Sequence, residues 1–294
     1  MAKKNFKMKN KSQINLNELD SKEILLRINK NDANIHEIVY GVIPEINRLV
    51  LCIIDKIKLG GRLFYVGCGT SGRLGMLDAV ECPPTFSTEP SLIQAIIAGG
   101  NGAFFRAVEG AEDSFEDGRK QIKKKEINKN DIVVGISASG SAAFVKGALA
   151  QAKELGSSTA IITCRKVSIN IDYKIEANTG PELILGSTRM KAGTVTKMIL
   201  NMISTSVMIK LNRTYSNYMV NLKASNKKLK NRAINMIVSI TSISKDEADK
   251  ILLKSKGNIE VAILMIGNNL SYEKALELSK NKFCSLKSKL DVKK

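Results

Sequence analysis

Apolar residues recur along the chain with two different periods, and the change from one to the other divides it into segments. In "SKEILLRINKND" and "ANIHEIVYGVIPEINRLVLCIIDKIKLGG" they fall at helical spacing, and Gly60-Gly61 stop the second stretch. Pro44 lies inside that stretch and is expected to kink it. From Arg62 onward, short and nearly continuous apolar runs alternate with helical patterns. The runs at 62–67, 91–99, 131–139, 158–164 and 173–180 read as strands, and a long helix is expected from Ser187 to about Leu211. Short apolar strands separated by helices imply an α/β fold with a parallel sheet covered on both faces. In such sheets ligands bind beyond the carboxyl ends of the strands. From Asn226 the pattern is helical throughout, in short pieces punctuated by Gly or Asn-Asn. The expected division is a flexible N-terminus over 1–20, an α/β domain with N-terminal helices over 21–225, and a small helical module over 226–294.

Composition changes this picture little. Of the 294 residues, 44% are hydrophobic and 25% charged, ordinary values for a globular protein. The net charge of +18 comes from 36 Lys and 10 Arg spread along the chain. Nucleic-acid readers favour clustered arginine and stacking aromatics, whereas Trp is absent here and aromatics are 5%. A nucleic-acid partner is therefore not expected. The basic N-terminus has no apolar core of a secretory signal, and "VTKMILNMISTSVMIKL" is too short and polar to span a bilayer, so a buried core helix is expected instead. Five scattered cysteines without a C-x-x-C pair argue against a disulfide framework or zinc ribbon and for a reducing cytoplasm. His36 is the sole histidine, so histidine catalysis and His-rich metal sites are not expected.

Three hydroxyl-rich loops follow strands. The first contains Gly67-x-Gly69-x-x-Gly72, the spacing of a dinucleotide loop, but the second strand ends "IIAGGNGA" without the acid that would hold a ribose. Thr70 and Ser71 at a helix N-terminus suit a phosphate monoester better. The second loop is "SASGS", Ser137 to Ser141, and the third is "GSTRMKAGT", which supplies Arg189 and Lys191. One such loop is commonly only a helix cap; three at one edge of a sheet point to a phosphorylated small molecule. Glu81, between that first loop and two prolines, and the acidic turn Glu109–Asp113 read by themselves as solvated surface carboxylates.

Taken together, "GCGTSGRLGMLDAVECPPTF", "AVEGAEDS", "SASG" and "GSTRMKAGTVTKMILNMIST" resemble the N-acetylmuramic acid 6-phosphate etherases, from about Glu23 through the C-terminal helices. The resemblance implies a sugar isomerase (SIS)-type parallel sheet sandwiched by helices, with N-terminal helices and a UBA-like C-terminal module. It also implies cleavage of the D-lactyl ether of N-acetylmuramic acid 6-phosphate to N-acetylglucosamine 6-phosphate and D-lactate, in cytoplasmic cell-wall sugar recycling. No metal or organic cofactor is implied, and a homodimer with sites near the subunit interface is. By motif position, Glu81 takes the place of the acid that protonates the lactyl oxygen, and Glu112 that of the second catalytic glutamate, the base at C2. Substrate and phosphate contacts are expected from Gly69, Thr70, Ser71, Ser137, Ser139, Ser141, Glu182, Ser187, Thr188, Arg189 and Lys191. Phosphate would dock at the first turn, with the following helix holding it away from Glu81, and Pro83-Pro84 would keep the backbone after Glu81 extended. Cys68 and Cys82 flank this region without a histidine partner and are not expected to be nucleophiles.

The chain departs from the family pattern at several places. Phe6 and Lys7 stand where Thr-Glu is usual, with Asn10 matching; Ser141, Ala142 and Ala143 replace Arg-Thr-Pro; Val80 replaces a serine and Cys68 an alanine. The altered second loop leaves open a different class of function, a non-catalytic sugar-phosphate regulator of the SIS type.

Overall fold

The computed structural model describes residues 15–222, 226–281 and 284–291, so Phe6, Lys7 and Asn10 lie outside the described residues. Within the five apolar runs, β1 (Leu63–Gly67), β2 (Ile93–Ile97), β3 (Ile132–Ile136), β4 (Ser158–Thr163) and β5 (Tyr173–Glu176) form one parallel sheet. Their spatial order is β2-β1-β3-β4-β5. Every residue of β1 and β3 is buried, which is why these strands read as continuous apolar runs rather than alternating ones.

The helices α1 (Ser21–Asp32), α2 (Ile35–Tyr40) and α3 (Ile43–Lys58) precede the sheet. The crossovers are α4 (Gly69–Phe86), α5 (Phe115–Lys124) and α6 (Ala143–Glu154), and α7 (Lys191–Lys210) follows β5. On one face Leu49 and Ile53 of α3 and Ile199 and Ile203 of α7 pack on Tyr65, Val134 and Ile162. On the other, Ile122 of α5 and Phe144 and Leu149 of α6 cover Phe64, Val133 and Ile161. There the two helices touch backbone to backbone: a Cβ on Gly147 would lie 2.0 Å from the carbonyl oxygen of Phe115. The strand order reverses between β1 and β3, so the crevice at their carboxyl ends is where this architecture admits a ligand.

Three local expectations are corrected. The chain turns at Gly41-Val42, and Pro44 sits in the first turn of α3, where its missing N–H is not needed, so two helices replace one kinked helix. Pro83 and Pro84 do not leave the chain extended: α4 runs through them to Phe86 and ends at Ser87 in the left-handed region. They occupy its last turn, where the cost is the lost partners of the Ala79 and Val80 carbonyls. The Ser87 amide then bonds the Pro83 carbonyl and its hydroxyl donates to the carbonyl of Asn221. Finally, α7 starts at Lys191 rather than Ser187.

α7 is, among the described residues, the helix long and apolar enough to cross a membrane by composition. It is a core helix here, with Val195, Ile199, Leu200, Ile203 and Val207 all buried. The C-terminal helices are α8 (Lys227–Thr241), α9 (Lys245–Lys254), α10 (Ile259–Gly267), α11 (Tyr272–Ser279) and α12 (Leu286–Leu290). Each begins where a short polar side chain (Asn226, Ser244, Asn258, Ser271, Ser285) accepts the amide three residues on. They enclose a separate core around Ile237, Leu252, Ile263 and Leu264, joined by Val220 and Leu222.

Candidate functional site

The carboxyl edge of the sheet is shaped first by close backbone packing. A Cβ on Gly72 would lie 2.7 Å from the carbonyl oxygen of Gly67 and 2.6 Å from Ile97, so α4 can turn back on β1 only with glycine there. Gly69 takes a positive φ of 51° at the start of that turn. The preceding residue, Cys68, makes no side-chain capping bond, and neither does Ala142 ahead of α6. Two helices that leave neighbouring strands thus present first turns without a side-chain cap at the reversal point, where the amide groups and the helix dipole favour an anion. Thr70 and Ser71 lie in the first of these turns. Beside the second, the Ser139 and Ser141 hydroxyls are 2.6 Å apart, and the Ser141 amide donates to Ser139 Oγ at 3.2 Å. Ser137 is buried and extends the sheet by donating its amide to Ile162.

The third loop differs. Glu182, 7% exposed, accepts the amide of Lys191 at 3.0 Å and that of Ala192 at 2.9 Å, one on each oxygen. Its carboxylate caps α7 and sets that helix's start, four residues beyond Ser187. Ser187, Thr188 and Arg189 therefore form an irregular approach, with Thr188 and Arg189 exposed. A Cβ on Gly193 would be 3.7 Å from Thr70 Cγ2 and from the Thr188 carbonyl oxygen, so the first and third loops meet. Lys191 is only 5% exposed, and its ammonium has no hydrogen-bond or ion-pair partner among the described residues. The stem is covered while the ammonium still reaches solvent, which leaves it open to an incoming anion. A cleft of about 420 Å³ opens along the third loop, lined by Ala138, Arg165, Asn178, Glu182 and Thr188 among others.

Glu112 sits in the short turn Ala111–Asp113, whose Ala111 packs on the same core cluster that Cys68 and Ala142 border. Burial pushes the Cys68 thiol up to about 12, and the charges of Glu112 and Asp113 add to it. Cys82, also chiefly through burial, is raised to about 12 and Cys164 to about 11. Burial thus disfavours the thiolate form of all three, and for Cys68 and Cys82 this agrees with their not being expected to act as nucleophiles.

Glu81 is elsewhere. It lies on the outer face of α4 with the exposed Leu77 and Val80, twelve residues past Gly69, or about 18 Å along the helix axis. The first turn of α4 brings Glu112 close; Glu81 is near the other end.

Under Glu81 is a polar knot that sequence reading passed over. Asp78, 4% exposed, accepts hydrogen bonds from the Tyr65 hydroxyl and the Ser204 hydroxyl, both at 3.1 Å, and Lys197 lies 3.7 Å away. Burial raises its pKa, against the opposing pull of Lys197, Ser204 and Tyr65. These bonds lock α4 to β1 and α7 and so fix which face of α4 carries Glu81. The signal was a charged residue in the buried stripe Gly75, Ala79, Cys82. Arg165, directly after β4, was also missed; its place at the end of a strand was the signal.

Comparison with known proteins supplies the remaining evidence. The glucokinase regulatory protein N-terminal SIS domain profile matches residues 45–153, and the C-terminal lid domain of the same protein matches residues 216–264. Over whole chains the similarity is to enzymes. The chain is 45% identical over 272 residues to the N-acetylmuramic acid 6-phosphate etherase of Geobacillus thermodenitrificans, covering 92% of each. It is 47% identical over 255 residues to that of Clostridium botulinum, covering 86% of this chain and 85% of the relative. Among solved structures, a phosphoheptose isomerase from Francisella tularensis aligns with a TM-score of 0.49 and 16% identity, over 64% of this chain and 100% of that one.

Proposed function

Because the chain belongs to the N-acetylmuramic acid 6-phosphate etherase family, and so is a carbon–oxygen lyase that cleaves the lactyl ether of that sugar phosphate, we propose that Glu112 and Glu81 divide its proton transfers across two copies of the chain. The chemistry needs both. The C2 proton becomes acidic only in the open-chain aldehyde, and Glu112 removes it. The C3–oxygen bond then breaks, and Glu81 protonates the departing lactate oxygen, which is a poor leaving group when unprotonated. Water adds at C3 of the unsaturated aldehyde, and a proton returns to C2. The products are N-acetylglucosamine 6-phosphate and D-lactate.

The observation that carries the two-chain reading is the separation of about 18 Å along α4 between Glu81 and the turn beside Glu112. Base and acid must flank adjacent carbons of one sugar, so the Glu81 that serves a given Glu112 comes from a second copy. The exposed apolar side chains around Glu81, Leu77 and Val80, support burial of that face in a homodimer. So does α1, which buries none of its residues in its own chain and exposes Leu25 and Leu26.

The sugar phosphate is held at the sheet's carboxyl edge. The uncapped first turns of α4 and α6, the hydroxyls of Thr70, Ser71, Ser137, Ser139 and Ser141, and the unpartnered Lys191 support a phosphate there. Ser187, Thr188 and Arg189 border the sugar, while Glu182 contributes by holding the start of α7. A charged substrate and five free cysteines fit a cytoplasmic setting.

Incubation with N-acetylmuramic acid 6-phosphate is expected to release D-lactate. In ¹⁸O-labelled water the label enters the sugar at C3 and is absent from the lactate. Label in lactate would mean cleavage on its other side and would overturn the elimination. Tight binding of the sugar phosphate without any lactate would instead fit the regulator whose domain profiles match parts of the chain.

A further inference from the structure

We propose that Arg165 grips the phosphate of the substrate from the flank of the serine loop, an assignment that rests on the etherase reading for the identity of the sugar. Residues 137–145, "SASGSAAFV", provide hydroxyls and an uncapped helix start but no positive charge. The next strand end provides one. Cys164 donates its amide to the carbonyl of Ala138 at 2.9 Å, and a Cβ on Gly140 would lie 2.3 Å from Val167, so the segment after β4 lies directly against the serine loop. Thr163 Oγ1 donates to the Arg165 carbonyl oxygen at 2.8 Å and fixes the backbone there.

The Arg165 side chain lines the cleft shared with Ala138, Glu182 and Thr188. It forms no ion pair or hydrogen bond among the described residues, whereas Arg62 and Arg119 are each locked to a carboxylate. Glu182 faces the same cleft, but both its oxygens are engaged by amides of α7, so it competes weakly for the guanidinium. A free, forked cation beside hydroxyls and a helix start matches the oxygens of a phosphate monoester, which a guanidinium can bind with two parallel bonds.

Arg165→Gln and Arg165→Lys test this. In the glutamine variant, KM for N-acetylmuramic acid 6-phosphate and the dissociation constant of inorganic phosphate, measured by calorimetry, are both expected to rise roughly 10- to 100-fold. kcat falls much less, inhibition by D-lactate is unchanged, and the lysine variant recovers part of the loss. Unfolding temperature stays at the wild-type value, because the exposed side chain holds nothing in place. Phosphate binding equal to wild type in Arg165→Gln overturns the assignment, and so does a selective loss of D-lactate inhibition, which would put Arg165 at the other end of the substrate. The calorimetric readout needs no turnover. A wild-type chain that binds phosphate but releases no lactate therefore counts against the etherase reading and not against Arg165.

Discussion

Replacing Glu112 or Glu81 with glutamine is expected to lower kcat by about 10²–10⁴-fold in each case, the usual worth of a positioned acid or base. Glutamine keeps the size and most of the hydrogen bonding and removes only the ability to carry the proton. Both side chains are exposed in the single chain, so neither change should move unfolding stability by more than about 0.5 kcal/mol. Binding of N-acetylglucosamine 6-phosphate should also persist, since the phosphate contacts are on other loops. The two roles separate in deuterated water. Glu81→Gln still exchanges the C2 hydrogen of the substrate with solvent, because its base is intact, while Glu112→Gln does not. Wild-type turnover in either variant would remove that residue from the mechanism, and exchange in the opposite sense would swap the two assignments.

The largest expected loss of stability lies at the opposite edge of the sheet. Asp131, fully buried, accepts the Arg62 amide at 2.8 Å, the Arg62 guanidinium at 2.7 and 3.1 Å, and the amide and side chain of Asn128 at 3.0 and 3.2 Å. These bonds tie the start of β1 to the start of β3, and Asp131 holds the Arg62 pKa above its ordinary value. Asp131→Ala would leave two part-buried amides and a partly buried guanidinium without their acceptor, for an expected loss of about 3 kcal/mol in urea unfolding. The folded fraction should retain its activity, because the site is at the far edge. A loss under about 1 kcal/mol would show that water replaces the carboxylate and that this tie is dispensable.

The sheet was legible because its strands are buried on both faces: "RLFYVG" and "DIVVGI" are apolar at nearly every position, and although the buried helix α10 shows a similar run, the alternation of these short runs with helical patterns marks them as strands. The serine and glycine loops were legible for the same reason in reverse, as polar breaks directly after such runs. What proline does was misjudged, since its effect depends on where in a helix it falls; Pro44 and Pro83-Pro84 all sit in terminal turns, where they are tolerated. The capping role of Glu182 was not legible, because a cap contributed from nine residues upstream leaves no local signature. The separation of Glu81 from the phosphate loop was readable from helix length alone. That Glu112 lies near the opposite end of α4 from Glu81 emerged only when the fold brought the charges of Glu112 and Asp113 within reach of Cys68.

Mixing the two inactive variants tests the shared site most directly. If each reaction centre draws its base from one copy and its acid from the other, a dimer of Glu81→Gln with Glu112→Gln contains one doubly altered centre and one intact centre. Equal amounts, unfolded and refolded together, should then recover roughly a quarter of wild-type lactate release, half the dimers being mixed and each of those half active. A mixture as inactive as either parent would mean that both glutamates act within a single chain, and the account given for Glu81 would be wrong.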